Sequence, residues 1–390
     1  MGCIVCGSSE TVSIFKPEPQ PLVALNIPNT YGEAINAPRF EMDWHLCLKC
    51  SHVFNSKFDY ANIPYNNDPN LMYNGGVAWN KIIDQEIDKH KDILSTGTVI
   101  DVGCGAGEFL EAILSKLGNN NLIGFEPGPD ADIVHPFAVL KTYFGSLDTH
   151  LFKPDTIICR NVLEHLADPH KFLSDISFNC GANLLDTQFL LEVPCFNTAL
   201  REGRITDFLY EHNSNFTKKS LHTLLIGSDL INQRVYTVYN GEVLIGTANV
   251  CPCVKESIPP TPKSKWLVDQ AKVFKIKASR SLELIPDQIS KLSMPVVWGG
   301  TGKGAAFLNY YKPRVGYVVD SDIRKQGKFV PGTGQFITAP KFMEGYNSWS
   351  IIIPSYWRVP DILNEIKQLD LKYKKILTVK DGELVDVTQS

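Results

Sequence analysis

Residues 99–110 read VIDVGCGAGEFL and decide the fold class of this 390-residue chain. A short apolar strand runs into three glycines with the spacing GxGxG, and an amphipathic helix pattern follows at once. Glycine permits left-handed backbone, and a loop without side chains lets a ligand lie against main chain at the positive end of a helix. This junction of strand, loop and helix predicts the first turn of a nucleotide-type α/β fold.

The residue after the loop narrows the choice of ligand. A dinucleotide loop, usually GxGxxG, places a helix N-terminus against a pyrophosphate. Glu108 would turn a carboxylate toward those phosphates, so a cofactor without phosphates fits better. The next predicted strand ends in Glu126, whose carboxylate would accept hydrogen bonds from both hydroxyls of a ribose. An ordinary βα turn without a ligand is the alternative.

The loop resembles motif I of the class I S-adenosylmethionine (SAM) methyltransferases. In that motif one acidic residue ends the strand before the loop and another ends the next strand, places held here by Asp101 and Glu126. The resemblance implies SAM as the cofactor. The candidate cofactor-binding residues are Asp101, Gly103, Gly105, Gly107, Glu126 and Asn161.

Length and composition indicate an ordinary globular protein of two or three domains. Hydrophobic residues make up 44% of the chain and charged residues 21%, and no apolar run approaches the roughly 18 residues of a membrane span. The first residues lack the pattern of a signal peptide, so we expect a cytoplasmic protein without membrane contact. A net charge of −4 without a basic cluster argues against nucleic acid and favours a small-molecule substrate. The oligomeric state does not follow from these features.

Four of the ten cysteines form two CxxC pairs, Cys3 with Cys6 and Cys47 with Cys50. The reducing cytosol disfavours disulfides, whereas two such pairs can complete a tetrahedral four-thiolate zinc site. Because protein would fill all four positions, the zinc would be structural. Two unrelated pairs, or a redox dithiol, are the alternative. The remaining cysteines are interpreted as small buried residues: Cys104, Cys159, Cys180, Cys195, Cys251 and Cys253.

Alternating strands and helices from residue 82 onward predict a doubly wound parallel sheet with ligands at the carboxyl ends of its strands. The predicted elements are a helix at 82–94, a strand at 98–102, a helix at 107–117, strands at 121–126 and 155–160, a helix at 168–178 and a strand at 187–193. A loop-like stretch at 60–80 and a proline cluster at 256–262 suggest the boundaries. The predicted domains are a zinc module at 1–75, a SAM domain at 76–255 and a Rossmann-like domain at 256–390.

The C-terminal domain is predicted from a second unit of strand, glycine loop and helix. A long polar helix at 263–281 precedes a strand at 294–298, the loop GGTGKG at 299–304 and a strand at 315–319 that ends at Asp320. The loop is not a Walker A motif, because no Ser or Thr follows Lys303. Two interpretations of this loop remain, namely a second dinucleotide site and a loop whose shape is determined only by packing.

Two segments carry candidate acid–base residues. His165 lies in NVLEHL (161–166), whose side chains emerge at the carboxyl edge of the sheet beside the cofactor. It is a candidate acid or base, or a hydrogen-bonded residue at a helix start. In DFLYEHNSNFT (207–217), His212 beside Glu211 is a candidate general base whose partner holds its tautomer and stabilises its cation. A polar loop that caps the sheet is the alternative.

The chain is similar to the sugar C-methyltransferase family over nearly its whole length. The match rests on the cysteine pairs, on residues 99–110, on the Glu211-His212 segment and on residues 298–310 with 320–333, which approach the family signature KQGKxxPGT. The resemblance implies a zinc module, a SAM domain and a Rossmann-like domain that act on nucleotide-linked ketodeoxysugars.

One position departs from the family pattern. Family members commonly read Tyr-x-Glu-His, whereas here Leu209 occupies the place of that tyrosine and Tyr210 directly precedes Glu211. Tyr73 is a candidate for another active-site tyrosine of the family.

These features together predict C-methylation of a nucleotide-linked keto-deoxysugar. A ketone acidifies the adjacent carbon, so His212 or His165 would remove its proton, and Tyr210 or bound water would stabilise the enolate oxygen. Lys303 and Lys325 would meet the substrate phosphates. O- or N-methylation of a related sugar is the nearest alternative. A non-catalytic protein that binds SAM or a sugar nucleotide is an alternative from another class.

Overall fold

The computed structural model describes residues 2–65, 76–250 and 262–388. The N-terminal elements are β1 (Thr11–Phe15), β2 (Gln20–Pro21), α1 (Tyr31–Ile35), β3 (Arg39–Phe40), β4 (Trp44–Cys47) and β5 (Val53–Asn55). The central elements are α2 (Val77–Lys89), α3 (Lys91–Leu94), β6 (Val99–Val102), α4 (Glu108–Leu117), β7 (Leu122–Phe125), β8 (Ala138–Leu140), α5 (Asp148–Phe152), β9 (Thr156–Arg160), α6 (Pro169–Ala182), β10 (Gln188–Pro194), α7 (Asn197–Glu202), β11 (Ser214–Asn215), α8 (Lys218–Gly227), β12 (Leu230–Val238) and β13 (Val243–Val250). The C-terminal elements are α9 (Lys265–Ser290), β14 (Pro295–Trp298), α10 (Lys303–Tyr311), β15 (Tyr317–Val319), β16 (Ile337–Thr338), β17 (Ser350–Ile353), α11 (Val359–Gln368), β18 (Lys375–Lys380) and β19 (Glu383–Asp386).

A seven-stranded sheet with the order β12-β13-β10-β9-β6-β7-β8 forms the centre of the molecule. Its strands β6 to β10 run parallel, as the alternation of helices and strands predicts. The sheet also contains two strands that the sequence did not predict, β12 and β13, which form an antiparallel hairpin that pairs with β10. Their connection is too short for the crossover that parallel neighbours need.

Strand β6 lies between β7, which follows it in the chain, and β9, which returns on its other side. This reversal of direction across the sheet opens a crevice at the carboxyl ends of β6 and β9. The glycine loop and the NVLEHL segment both start at that edge. The fold therefore brings the two segments together.

The C-terminal sheet has the order β16-β15-β14-β17-β18-β19 and is parallel except for its last pair. The direction in which successive strands are added to this sheet reverses at β14. The second glycine loop follows the carboxyl end of that strand. Helix α9 extends to Ser290, nine residues beyond its predicted end, and contains Pro286. Its buried residues recur every three or four positions along one face, which is the pattern of an amphipathic helix.

The N-terminal sheet has the order β1-β4-β5-β11, so its last strand comes from the central part of the chain. Helix α9 packs on β1 and α7, and one apolar cluster contains residues from all three predicted domains, including Ile14, Phe208 and Phe274. The predicted boundaries after residues 75 and 255 lie at or within stretches outside the described residues and stay predictions. In the described part of the chain, no helix has the length and apolar character needed to cross a bilayer.

Candidate active site

The motif I loop has the backbone that its glycines predict. Gly103, Gly105 and Gly107 have φ values of 68°, 53° and 74°, a left-handed region that disfavours side chains. A Cβ on Gly103 would lie 2.5 Å from Cγ2 of Val162, so the loop after β6 and the segment after β9 touch there. Helix α4 begins directly after Gly107, at Glu108.

Glu126 ties the loop to the strand that follows it. One of its carboxylate oxygens accepts the N–H of Gly105 at 3.0 Å, and the other accepts the N–H of Gly128 at 2.7 Å. Burial raises the pKa of Glu126, and these two donors oppose the shift. Each oxygen keeps a second lone pair, so the carboxylate can still accept ribose hydroxyls.

A cavity of about 270 Å³ lies over this loop. Gly103, Glu126 and Asn161 line it, together with His165. Asp101, Gly105 and Gly107 are not among its lining residues. Asp101 is buried beneath the loop, and one of its oxygens has no hydrogen-bond partner among the described residues. Burial raises the pKa of Asp101 to about 7.

A second cavity, of about 110 Å³, adjoins the first. Asn161 and His165 line both cavities, and His212 and Lys303 line the second. The rings of His165 and His212 meet edge to face with their centroids 4.7 Å apart. The two histidine segments predicted separately from the sequence therefore meet at one site.

Hydrogen bonding defines the tautomer of His165. Its Nδ1 lies 2.8 Å from the backbone carbonyl oxygen of Glu211 and 2.6 Å from the hydroxyl of Tyr65. A carbonyl oxygen only accepts, so we assign the proton to Nδ1 and the lone pair of the neutral ring to Nε2. Burial lowers the pKa of His165 to about 4, so the ring is neutral near pH 7.

His212 is also neutral near pH 7. Burial, followed by the charges of His165 and Lys303, lowers its pKa well below the ordinary value for histidine. Its neighbour Glu211 does not hold the ring in the way the sequence predicts. One Glu211 oxygen accepts the backbone N–H groups of Val23 and Ala24 at 2.5 and 2.7 Å, so this carboxylate anchors the N-terminal part.

Tyr210 is directed away from both cavities. It is buried, and its hydroxyl accepts the N–H of Asp59 at 3.1 Å and the side-chain amide of Asn62 at 2.8 Å. Its ring stacks on Phe40. The predicted contact between Tyr210 and an enolate oxygen is therefore not formed. Tyr73 lies outside the described residues.

Lys303 belongs to a buried charge network as well as to the second cavity. Its ammonium group donates to Asp207 at 2.6 Å. Arg204 donates to both oxygens of Asp207, at 2.6 and 3.2 Å, and to both oxygens of Glu242, at 3.0 and 2.6 Å. The network joins the start of α10 in the C-terminal part to the central part beside His212.

A third cavity, of about 90 Å³, lies over the C-terminal glycine loop and shares Lys303 and Trp357 with the second. Lys325 lines it but is almost fully buried, with Nζ 3.9 Å from carboxylate oxygens of Asp320 and Asp322. Its charge is therefore largely compensated, and burial lowers its pKa. Asp320 also accepts the N–H of Gly300 at 2.9 Å, as Glu126 does in the first loop.

Several residues of these cavities were not among the sequence candidates. Tyr60, Tyr65 and Tyr143 line the first cavity, and Trp79, Glu164 and Trp357 line the second. Glu164 lies inside the NVLEHL segment (161–166), and a carboxylate at that position could have been named as a candidate from its residue type alone. The aromatic residues lie outside the predicted helices, strands and motifs, so no sequence pattern gave a reason to name them as site residues.

The four predicted metal ligands form one cluster. Cys3 and Cys50 have their sulfur atoms 3.6 Å apart, as do Cys6 and Cys47, and all four sulfurs lie within 4.8 Å of one another. In a tetrahedral zinc site with Zn–S bonds of about 2.3 Å, the sulfurs lie about 3.8 Å apart. The cluster therefore fits zinc. Among the other described cysteines, Cys159, Cys180 and Cys195 are buried as predicted and Cys104 is half-buried, whereas Cys251 and Cys253 lie outside the described residues.

Comparison with known proteins agrees with the geometry of the first loop. A family model described as a methyltransferase domain matches residues 79–232, which contain the loop, Glu126 and both histidines. The protein is a SAM-dependent methyltransferase. The predicted class I fold is likewise confirmed.

Individual relatives are distant. The C-methyltransferase NovU of Streptomyces niveus is 22% identical over 401 aligned positions, which cover 94% of this chain and 92% of that protein. The crystal structure of a SAM-dependent methyltransferase from Archaeoglobus fulgidus has a TM-score of 0.35 and 16% identity, over 43% of this chain and 93% of that one. Geranyl diphosphate C-methyltransferase from Streptomyces coelicolor A3(2) has a TM-score of 0.31 and 11% identity, over 43% of this chain and 76% of that one.

Proposed function

We propose that this methyltransferase acts on a carbon of a nucleotide-linked keto-deoxysugar. The observation that carries the proposal is the row of three adjoining cavities, which share His165 at one junction and Lys303 at the other. Such a row suits a methyl donor, a reacting sugar and a nucleotide, in that order. The description of NovU as a C-methyltransferase supports carbon as the acceptor.

The first cavity is assigned to SAM, which supplies an electrophilic methyl group when bound. The main chain at Gly103 lets the cofactor approach closely, and Glu126 and Asn161 provide the polar contacts at its edge. Asn161 is itself held by Glu192, which accepts its side-chain amide at 3.0 Å. Positioning of this kind supplies much of the rate of a methyl transfer.

His212 is assigned as the base. It lines only the second cavity, whereas His165 stands at the junction through which a methyl group must pass. A base on the far side of the acceptor leaves that approach open. The neutral imidazole of His212 has a lone pair for the proton on the carbon next to the ketone, and Nε2 of His165 can accept a hydroxyl of the sugar.

Lys303 is assigned to the enolate oxygen in place of Tyr210. Its ammonium group lines the same cavity as His212 and donates to Asp207, which leaves further N–H donors for the acceptor. A fixed cation where negative charge develops lowers the barrier to enolate formation. The phosphates are assigned to the third cavity, where the glycine loop opens α10 and Lys303 stands at the rim. Lys325 then stabilises the loop through its two aspartates rather than meeting phosphate.

The test begins with mass spectrometry of SAM turnover against a panel of nucleotide-linked sugars with and without a ketone. We expect turnover only with keto sugars, and a new carbon–carbon bond in the NMR spectrum of the product. A methyl group on oxygen or nitrogen would replace this proposal by the corresponding O- or N-methylation.

Deuterium wash-out from the carbon next to the ketone tests the base. His212→Ala should slow wash-out by at least the roughly 100-fold that a general base contributes. His170→Ala is the matched control, because this histidine contacts the carbonyl of Gly227 and lines none of the three cavities. Wash-out at the wild-type rate in His212→Ala would remove His212 from the mechanism.

A further inference from the structure

Three side chains at the wall of the second cavity have the arrangement of a metal site. Glu164, His165 and His212 each offer a donor atom, and these atoms lie within 4.8 Å of one another. Glu164 and His165 belong to the single helical turn that follows β9, and His212 comes from the loop before β11. The cluster is separate from the four cysteines and contains no sulfur.

Glu164 is the unusual member of the cluster. Its side chain is about 2% exposed, and its Oε2 atom has no hydrogen-bond partner among the described residues. A buried polar atom without a partner is costly, and a bound cation would remove that cost.

The two histidines of the cluster, His165 and His212, are also placed to bind a metal. Nδ1 of His165 donates its proton to the carbonyl oxygen of Glu211, which leaves the lone pair of Nε2 to bind a metal. Metal-ligating histidines commonly donate their other ring N–H to such a carbonyl, because this contact fixes the tautomer and the ring orientation. Both rings line the second cavity together with Glu164.

We infer that Glu164, His165 and His212 bind a divalent transition-metal ion of the zinc or cobalt type. Two imidazoles and one carboxylate form a known zinc ligand set and leave further coordination positions open. Mg²⁺ and Ca²⁺ prefer sets made only of oxygen. Ligand atoms on one ion at about 2.0–2.1 Å lie roughly 3–4 Å apart, so small side-chain rotations close the site.

The inference goes beyond the proposed function and has a consequence for it. A nitrogen that ligates a metal has no lone pair for a proton. A bound ion would therefore withdraw His212 from its role as base, so the site is inhibitory. Methyl transfer and metal binding would compete for the same imidazoles.

The experiment titrates Co²⁺ into the full chain after the metal-free protein has been given a single equivalent of Zn²⁺ for the four-cysteine cluster, so that the second cluster stays open to Co²⁺. We expect one further equivalent to bind without the sulfur-to-cobalt absorption of a thiolate site, because nitrogen and oxygen ligands hold it. Glu164→Gln and His212→Asn should each weaken this binding by more than the roughly 10–100-fold cost of losing an outer-shell partner. Glu86→Gln is the matched control, because Glu86 pairs with a single histidine, His90, and should leave Co²⁺ binding unchanged.

The wild-type titration decides the question even if a variant fails to fold. Absence of a further equivalent would overturn the inference, and so would wild-type affinity in a folded Glu164→Gln protein. Neither result affects the deuterium wash-out that tests His212 as the base. Failure of the metal site and failure of the proposed function are therefore separate outcomes.

Discussion

Replacing Gly103 and Gly105 by alanine, one at a time, separates the structural role of the motif I loop from its cofactor role. At Gly103 the left-handed backbone costs an alanine about 1–2 kcal/mol. The new methyl group would also lie 2.5 Å from Val162, and overpacking of this kind costs about 1–3 kcal/mol. Gly103→Ala should therefore lower the unfolding free energy of the ligand-free protein by about 2–5 kcal/mol.

Gly105 has the same backbone type, but no described atom lies within 4 Å of its Cβ position. Gly105→Ala should cost the ligand-free protein only about 1–2 kcal/mol. Gly105 does not line the first cavity, so its added methyl group meets SAM where the cofactor extends beyond that cavity into the open space along the loop. We expect its Kd for SAM to rise at least about tenfold, or about 1.4 kcal/mol.

Urea unfolding of the ligand-free proteins and calorimetric titration with SAM measure the two effects. Gly241→Ala is the control, because Gly241 also has a positive φ and open space at Cβ but lies away from the loop. It should match Gly105→Ala in stability and wild type in SAM affinity. Adding Val162→Ala to Gly103→Ala should recover the overpacking cost. Equal SAM affinity in the Gly105 and Gly241 variants would refute the extension of SAM along the loop, and absence of recovery would refute the assigned clash.

Three further predictions concern the charges and the metal. Arg204→Met should lower the unfolding free energy by about 3–5 kcal/mol, because among the described residues it leaves two buried carboxylates with Lys303 as their only paired cation. Adding Glu242→Gln should restore part of that loss in urea unfolding, and equal loss in both proteins would contradict the network. The raised pKa of Asp101 means that the folded state keeps a proton that the unfolded state releases, so this group alone lowers the stability by about 3 kcal/mol from pH 4 to pH 7. Asp101→Asn should lose this contribution and keep the contribution of other buried acids such as Glu164, and parallel stability–pH curves would disprove the assignment. Cys6→Ser should contain less zinc per chain than wild type, as measured by elemental analysis, whereas Cys180→Ser should contain the wild-type amount.

Features with a local cause were predictable from the sequence. The glycine spacing predicts the left-handed loop, whereas the hydrogen bond from Gly105 to Glu126 was not predicted, and the contact of Glu126 with a ribose stays a prediction. CxxC spacing predicts that two thiolates can reach one metal, and the structure joins Cys3 and Cys6 with the second pair 41 residues further on. Strand and helix patterns predict the parallel part of the sheet because each pattern repeats within a few residues.

Features that depend on distant partners were not predictable. Glu211 and Tyr210 are neighbours of His212 in sequence, but backbone and side-chain groups near residues 23 and 59 determine where they point. Lys303 lies at the histidine site only because α10 packs beside the turn that contains Asp207. Tyr65 contacts His165 across 100 residues. No sequence pattern within residues 161–166 or 207–217 indicates these contacts.

The packing of α9 on β1 has a consequence for the order in which the chain folds as it is synthesised. Lys265 follows Phe15 by 250 residues, so the apolar face of β1 emerges long before the helix that covers it. At about 5–20 residues per second, the delay is roughly 12–50 s. Closure of the N-terminal core must therefore wait for nearly three quarters of the polypeptide to be made. During that interval the exposed strand is a natural substrate for chaperones that bind apolar segments.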